Sequence, residues 1–199
     1  MACLLSLGMQ AQSVFRFAQL TDLHLSPNNP NPTEDLLRSV AQINATDNID
    51  FVLVTGDITE EGDRATMEKV KSCLDLLKVK YYVALGNHET KWSDSGCTAF
   101  GEIFGSERFE FEHKGFLFLG FNSGPLMRMA YGHVVPQDIR WMTERMEQAG
   151  KDKPVILVSH YPMKDGDVDN WYEVTDAVRP FNVRLFIGGH YHANQVHRY

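Results

Sequence analysis

The chain has little cysteine, no excess of positive charge and no apolar run long enough to span a bilayer. Its three cysteines, Cys3, Cys73 and Cys97, form neither a disulfide framework nor a zinc-binding spacing. Cys73 falls among helix-patterned apolar residues and reads as a buried thiol, while a Cys73–Cys97 bridge stays open on spacing alone. Lysine and arginine total 19 against 26 aspartates and glutamates, for a net charge of −7. Without a basic block to offset that balance, the charge argues against a nonspecific nucleic-acid binder, and no nucleic-acid partner is expected. An anionic substrate is compatible with the charge only if something local and positive holds it. No internal repeat, linker or low-complexity stretch interrupts the sequence. Residues 1–13, "MACLLSLGMQAQS", have the short apolar centre and small-residue end of a signal-peptide remnant but lack its positively charged start. The first feature points to a periplasmic or secreted protein, the second to a frayed terminus on a cytoplasmic one.

What is present is ordinary globular material: 199 residues, 43% hydrophobic and 23% charged, enough for one substantial core. Strand-like runs recur at 14–20, 51–54, 81–85, 154–159 and 183–188. Helical periodicity lies between several of them. Leu36, Leu37, Val40 and Ile43 mark one apolar face, with Thr33 as its expected N-cap and acidic residues in the first turn. Met67, Val70, Leu74 and Leu77 mark a second, and Ile139, Met142 and Met146 a third, opened by Pro136. A shorter helix is expected near Trp171, Val174 and Val178. "ERFEFEHKGFLFLGFNS" (107–123) reads as a hairpin turning at "HKG". The expected fold is therefore α/β, a single domain over 14–199, mainly parallel with at least one antiparallel pair.

The chemistry-bearing residues fall at the ends of those strands. Asp22 and His24 follow the first, Asp57 the second, and Asn87, His88 and Glu89 the third. His160 follows the run at 154–159, and Gly189, His190 and His192 the last. In open α/β sheets, ligand sites lie beyond the carboxyl ends of the strands. Any one of these motifs alone reads as well as turn chemistry or a structural histidine. Together they send five of the eight histidines to one rim, beside hard oxygen ligands. In extended backbone, residues i and i+2 share a side, so His190 and His192 are expected to reach one centre while Tyr191 points away. Asp22 and His24 repeat that spacing around Leu23. Gly188 and Gly189 remove side chains where the backbone must bend and approach a neighbour.

Imidazole, carboxylate and amide ligands without thiolate suit zinc, manganese or iron. Seven such residues exceed one ordinary site and fit two, provided one carboxylate bridges. Paired ions about 3.5–4 Å apart clamp the attacking and departing oxygens of phosphoryl transfer. Two divalent cations, two aspartates and a hydroxide leave about +1 at such a site, enough to attract a phosphate.

The ordered strings "DLH", "GDITEEG", "GNHE", "SHYP" and "GHYH" resemble the calcineurin-like metallophosphoesterases, over most of residues 16–195. The resemblance implies a four-layer α/β/β/α sandwich. It implies one metal held by Asp22, His24, Asp57 and His192 and a second by Asp57, Asn87, His160 and His190, with Asp57 as the bridge. The two ions would be divalent or mixed-valence manganese, iron or zinc. It implies in-line attack of a metal-bridging hydroxide on a phosphomonoester or phosphodiester, with His88 protonating the leaving oxygen and Glu89 orienting His88. Glu60 stands where the family's purple acid phosphatases place a tyrosine, so a purple iron–tyrosinate centre is not expected. Tyr191 stands where threonine is common. Relatives continue with strands beyond the last motif, so a second sheet incomplete at its C-terminal edge is expected.

Residues 122–146 resemble the post-hairpin loop and helix of the family's phosphodiesterase-like branch. Arg128 and His133 are the candidate substrate-phosphate contacts, with Met127, Met129 and Tyr131 as an apolar lip. His113 and His197 read as solvated. The chain is thus expected to be a metal-dependent hydrolase of small phosphoesters; oligomeric state is not readable. The rival from another class is a metal- or partner-binding module of the same fold that does no chemistry.

Overall fold

The computed structural model describes residues 14–125 and 130–197. Thirteen elements follow in order: β1 (Phe17–Leu20), α1 (Asn31–Ala45), β2 (Phe51–Thr55), α2 (Arg64–Leu74), β3 (Lys80–Ala84), α3 (Asn87–Thr90), α4 (Thr98–Phe104), β4 (Phe109–His113), β5 (Phe116–Gly120), α5 (Pro136–Ala149), β6 (Val155–Val158), α6 (Trp171–Val178) and β7 (Val183–Ile187). They build two sheets. β1-β2-β3 is all parallel, and β4-β5-β6-β7 is parallel except for the β4–β5 hairpin.

Alternation along the central strands creates the layers. In β2, Phe51 and Leu53 face the second sheet, while Val52 and Val54 face the helices. In β6, Ile156 and Val158 face the first sheet, and Val155 and Leu157 the other way. Both strands are buried throughout, as expected for strands covered on both faces. α1, α2 and α4 close the outer side of the first sheet with Leu36, Val40, Met67, Val70 and Phe100. α5 and α6 close the second with Met142, Met146, Val174 and Val178. Each such side chain contributes about 1.5–3 kcal/mol by leaving water. Between the sheets the filling is aromatic: the Tyr82 and Phe111 rings stack at 3.8 Å, and Phe111 on Phe118 at 4.5 Å. Helices, sheet, sheet, helices: the fold is a mixed α/β sandwich of four layers.

Several expectations need correction. Thr33 does not cap α1. The helix starts earlier, at Asn31, because Pro32 supplies a helical φ in its first turn; Asn29 Oδ1 accepts the Asn31 N–H at 3.1 Å, and the Thr33 hydroxyl is buried without a partner. Leu37 is 40% exposed rather than on the buried face. α4 was not anticipated; its apolar residues, Phe100, Ile103 and Phe104, are too few to show a period. Cys73 and Cys97 are both free thiols, so no bridge joins them. His113 is not solvated: it ends β4, packs its ring against Phe15 and Phe51 at 5.5 and 5.3 Å, and sits 3.5 Å from Asp50. His197 is exposed as expected. Residues 1–13 and Met127, Arg128 and Met129 lie outside the described residues.

Candidate metal centre

Beyond β1 and β2 the ladder continues into the loops. Asp22 N–H donates to Gly56 O, His24 N–H to Asp57 O and Leu25 N–H to Ile58 O, at 3.0–3.2 Å. Two strand-end loops are thereby zipped side by side, which puts Asp22, His24 and Asp57 on one rim. The second sheet joins through Asp22, whose carboxylate accepts the His190 N–H at 3.1 and 3.2 Å. Gln19 Nε2 adds a 2.7 Å donation to Gly188 O. The rim therefore spans the carboxyl ends of strands in both sheets.

Two close approaches explain the glycines of the motifs. A Cβ on Gly86 would lie 2.1 Å from Asp57 Oδ1 and 2.4 Å from Asp57 N, and one on Gly189 would lie 2.0 Å from Thr21 Oγ1 and 2.7 Å from Asp22 Oδ2. Neither glycine has a positive φ; space, not conformation, demands them.

The extended backbone expected at His190 and His192 is not what brings them to the rim. Both are left-handed, at φ 77° and 51°, as are Asp22, His24 and Asp57 at 51°, 46° and 49°. That conformation splits the histidines. Ligand atoms of Asp22, His24 and His192 gather within 4.8 Å of one another, and so do those of Asp57, His160 and His190. A third group, His24, Asp57 and His88, joins the two. Asp22 Oδ1 lies 3.3 Å from His192 Nε2, and His24 Nε2 lies 3.2 Å from His192 Nε2 and 3.9 Å from Asp57 Oδ2. Asp57 Oδ2 lies 3.1 Å from His160 Nε2, which faces Asn87 Oδ1 at 3.2 Å. All seven residues named from sequence as ligands lie in or against these linked groups, Asn87 through His160.

The orientation of the imidazoles decides what fits there. His160 Nδ1–H donates to Thr55 O at 2.8 Å, and His24 Nδ1–H to the Glu60 carboxylate at 2.7 Å. Each neutral ring then presents its Nε2 lone pair inward, the arrangement that outer hydrogen bonds give to metal-ligating histidines. Lone pairs of His160, Asn87 and Asp57 would face one another at hydrogen-bond distance with no proton between them. Only a cation or an added proton satisfies that geometry. The ionisation equilibria agree. Burial works against charge on His160, but its hydrogen bond and attraction to Asp57 leave the pKa raised. Burial also opposes charge on Asp57, yet His160 and the His88 N–H hold the carboxyl at about 2. Burial, then the neighbouring His160, lower His190. The donor set and its charge demand fit divalent cations.

His88 sits on α3, which begins immediately after Gly86. Its N–H donates to Asp57 Oδ1 at 3.0 Å, its Nδ1–H to Glu60 O at 2.5 Å, and its Nε2 stands 3.9 Å from Asp57 Oδ2. Glu89 does not orient it. That carboxylate is fully buried and accepts from Gly86 N, Thr59 N and Thr59 Oγ1 at 2.9–3.0 Å, tying the third strand end to the second. Burial, with Asp57 nearby, raises its pKa. Glu60 has a role that its place in the sequence does not reveal. Its side chain holds His24 and its carbonyl holds His88. The same holds for Ser123; its hydroxyl accepts the N–H groups of His160 and Tyr161 at 3.2 and 3.0 Å. His133 is taken up by Asp169 at 2.8 Å and belongs to none of the three groups. Tyr131 is 52% exposed.

The sequence profile of calcineurin-like phosphoesterases matches residues 15–194. The chain belongs to that family. Among its relatives is an uncharacterized Bacillus subtilis protein, YvnB, 28% identical over 166 residues, which cover 73% of this chain and 13% of YvnB. A Nostoc protein named as a 3',5'-cyclic-nucleotide phosphodiesterase is 22% identical over 190 residues, 88% of this chain and 70% of that one. Among solved structures, purple acid phosphatase PPD1 from yellow lupin shares the fold at TM-score 0.53 and 16% identity, over 77% of this chain and 31% of that one. This chain thus spans a small part of YvnB and of the lupin phosphatase. In this calcineurin-like fold, no helix among the described residues is long and apolar enough to cross a membrane.

Proposed function

We propose that the chain hydrolyses small phosphoesters, with phosphodiesters preferred, at two adjoining cation sites that share Asp57. Asp22, His24 and His192 complete one site, and Asn87, His160 and His190 the other. The observation that carries this reading is the overlap of the ligand groups through Asp57 and His24. A single-site binding protein has no use for a shared carboxylate. The diester preference is drawn from the Nostoc relative's name.

When bound, paired divalent cations acidify water and neutralise charge on the attacking and departing oxygens of a phosphoryl group. The protein's own residues do the rest. Asp57, 2% exposed and ionised at any physiological pH, supplies the negative charge between the two groups. Thr55 and Glu60 fix the tautomers of His160 and His24, keeping their lone pairs inward. His88 keeps Nδ1–H on the Glu60 carbonyl and turns Nε2 toward the site. Protonated, it delivers the Nε2 proton to a leaving oxygen brought within about 3 Å. Arg128 and His133 are proposed to contact the substrate phosphate.

The test is metal analysis of purified protein, with turnover of bis(4-nitrophenyl) phosphate in added manganese. We expect about two equivalents of metal and saturable turnover, and loss of both in Asp57→Asn. Two bound equivalents without turnover of any phosphoester would favour the non-catalytic binding module.

A further inference from the structure

Trp92 is half exposed, 51%, in a chain whose other two tryptophans, Trp141 and Trp171, pack partly against the second core. Its place is set by helix geometry. Lys91 N–H donates to Asn87 O at 2.7 Å, so the helical turn that begins at Asn87 continues to the residue before Trp92. His88 and Trp92 are therefore four positions apart and neighbours on one face; their ring centroids are 6.3 Å apart. Gly62 packs closely against this turn: a Cβ on it would meet His88 O at 2.4 Å and Ser93 Cα at 2.9 Å. The Lys91 ammonium stands over the indole, 5.1 Å from its centroid, and steadies the ring from that face.

We infer that Trp92 is a specificity-determining residue, a stacking platform for a planar aromatic leaving group. The inference rests on the proposed role of His88. A leaving oxygen within reach of His88 Nε2 directs the remainder of its group away from phosphorus and past the imidazole. The aromatic surface there is the indole of Trp92. An aryl ring or nucleobase can lie on it; an alkyl group has no face to offer. Base–aromatic stacking of the usual strength is worth about tenfold in binding.

The experiment compares bis(4-nitrophenyl) phosphate with glycerophosphoethanolamine, whose leaving groups are all alkyl, on manganese-loaded wild-type, Trp92→Ala and Trp92→Phe proteins. The aryl-over-alkyl ratio of kcat/KM should fall about tenfold in Trp92→Ala and by much less in Trp92→Phe. An unchanged ratio overturns the inference. Binding is read separately as quenching of tryptophan fluorescence by phenylphosphonate against methylphosphonate. Phenylphosphonate should quench wild type and leave Trp92→Phe unaffected; equal quenching of both proteins, or none, overturns the inference. If wild type turns over neither ester, the phosphoesterase reading fails, and the fluorescence arm alone decides whether Trp92 stacks.

Discussion

Glu60 offers a clean way to separate the two halves of the candidate centre. Its carboxylate serves His24 at 2.7 Å, whereas its main-chain oxygen serves His88 at 2.5 Å. Glu60→Ala removes the first bond and leaves the second, since the Glu60 backbone is fixed by donation from its own N–H to Leu25 O at 2.8 Å. The side chain is 49% exposed, so an exposed pair of this kind changes folding stability by about 1 kcal/mol or less. The cost falls instead on the imidazole, which loses its fixed tautomer. Outer-sphere losses of this kind weaken metal affinity about 10- to 100-fold, or roughly 1.4–2.7 kcal/mol. Calorimetric titration of metal-stripped protein with manganese should then show one binding step weakened by that factor and the other within about twofold. Glu60→Gln, whose amide oxygen accepts the same proton, should recover most of the loss. The reasoning fails if Glu60→Ala binds both equivalents like wild type, or if Glu60→Gln is as damaged as Glu60→Ala.

Other substitutions probe the frame around the site. Gly189→Ala drives a Cβ into Thr21 and Asp22, at 2.0 and 2.7 Å, while Gly188→Ala meets nothing nearer than His160 O at 3.0 Å; urea denaturation should show the first variant destabilised by about 1–3 kcal/mol and the second by less. Tyr191→Phe removes the one hydroxyl proton that the two Asp167 carboxylate oxygens share, at 2.7 and 2.8 Å. That buried carboxylate keeps Lys164 at 2.9 Å, so we expect a loss of about 1 kcal/mol in the same assay. In metal-stripped protein, Asp57 has a folded pKa of about 2, below its ordinary 3.8. Its contribution, about 2 kcal/mol, is therefore fully present above pH 4 and lost as pH falls toward 2. Acid denaturation of Asp57→Asn should lack that part of the slope.

The sequence made the strand ends legible because strand chemistry is local: apolar runs stop, and the residues that follow are polar. Asp22, Asp57, His160 and His192 could be named from that alone. The division into two sheets could not, since no local pattern says which strands become neighbours; it came only from the family resemblance. Glu60, Glu89 and Ser123 show the deeper limit. Glu60 reaches 36 positions back to His24 and 28 forward to His88, and Ser123 lies 37 positions from His160. No spacing rule encodes such pairs, because they depend on loops from separate strands crossing one rim. Glu89 misled for the converse reason: adjacency to His88 in the chain suggested contact, but successive helical residues point apart.

Five chemistry-bearing residues share the left-handed backbone that suits glycine best: Asp22, His24, Asp57, His190 and His192. Each costs on the order of 1 kcal/mol relative to glycine, less where a short polar side chain bonds locally. The rim is thus a set of cocked springs, held in place by the two sheets beneath it. Bound cations would act as clasps on those springs, so amide exchange along 21–24, 56–60 and 188–192 should slow sharply on metal addition while the sheet cores hardly respond. Putting glycine at 190 or 192 would let the spring go slack: a sturdier chain when stripped of metal, and one that nothing can fasten.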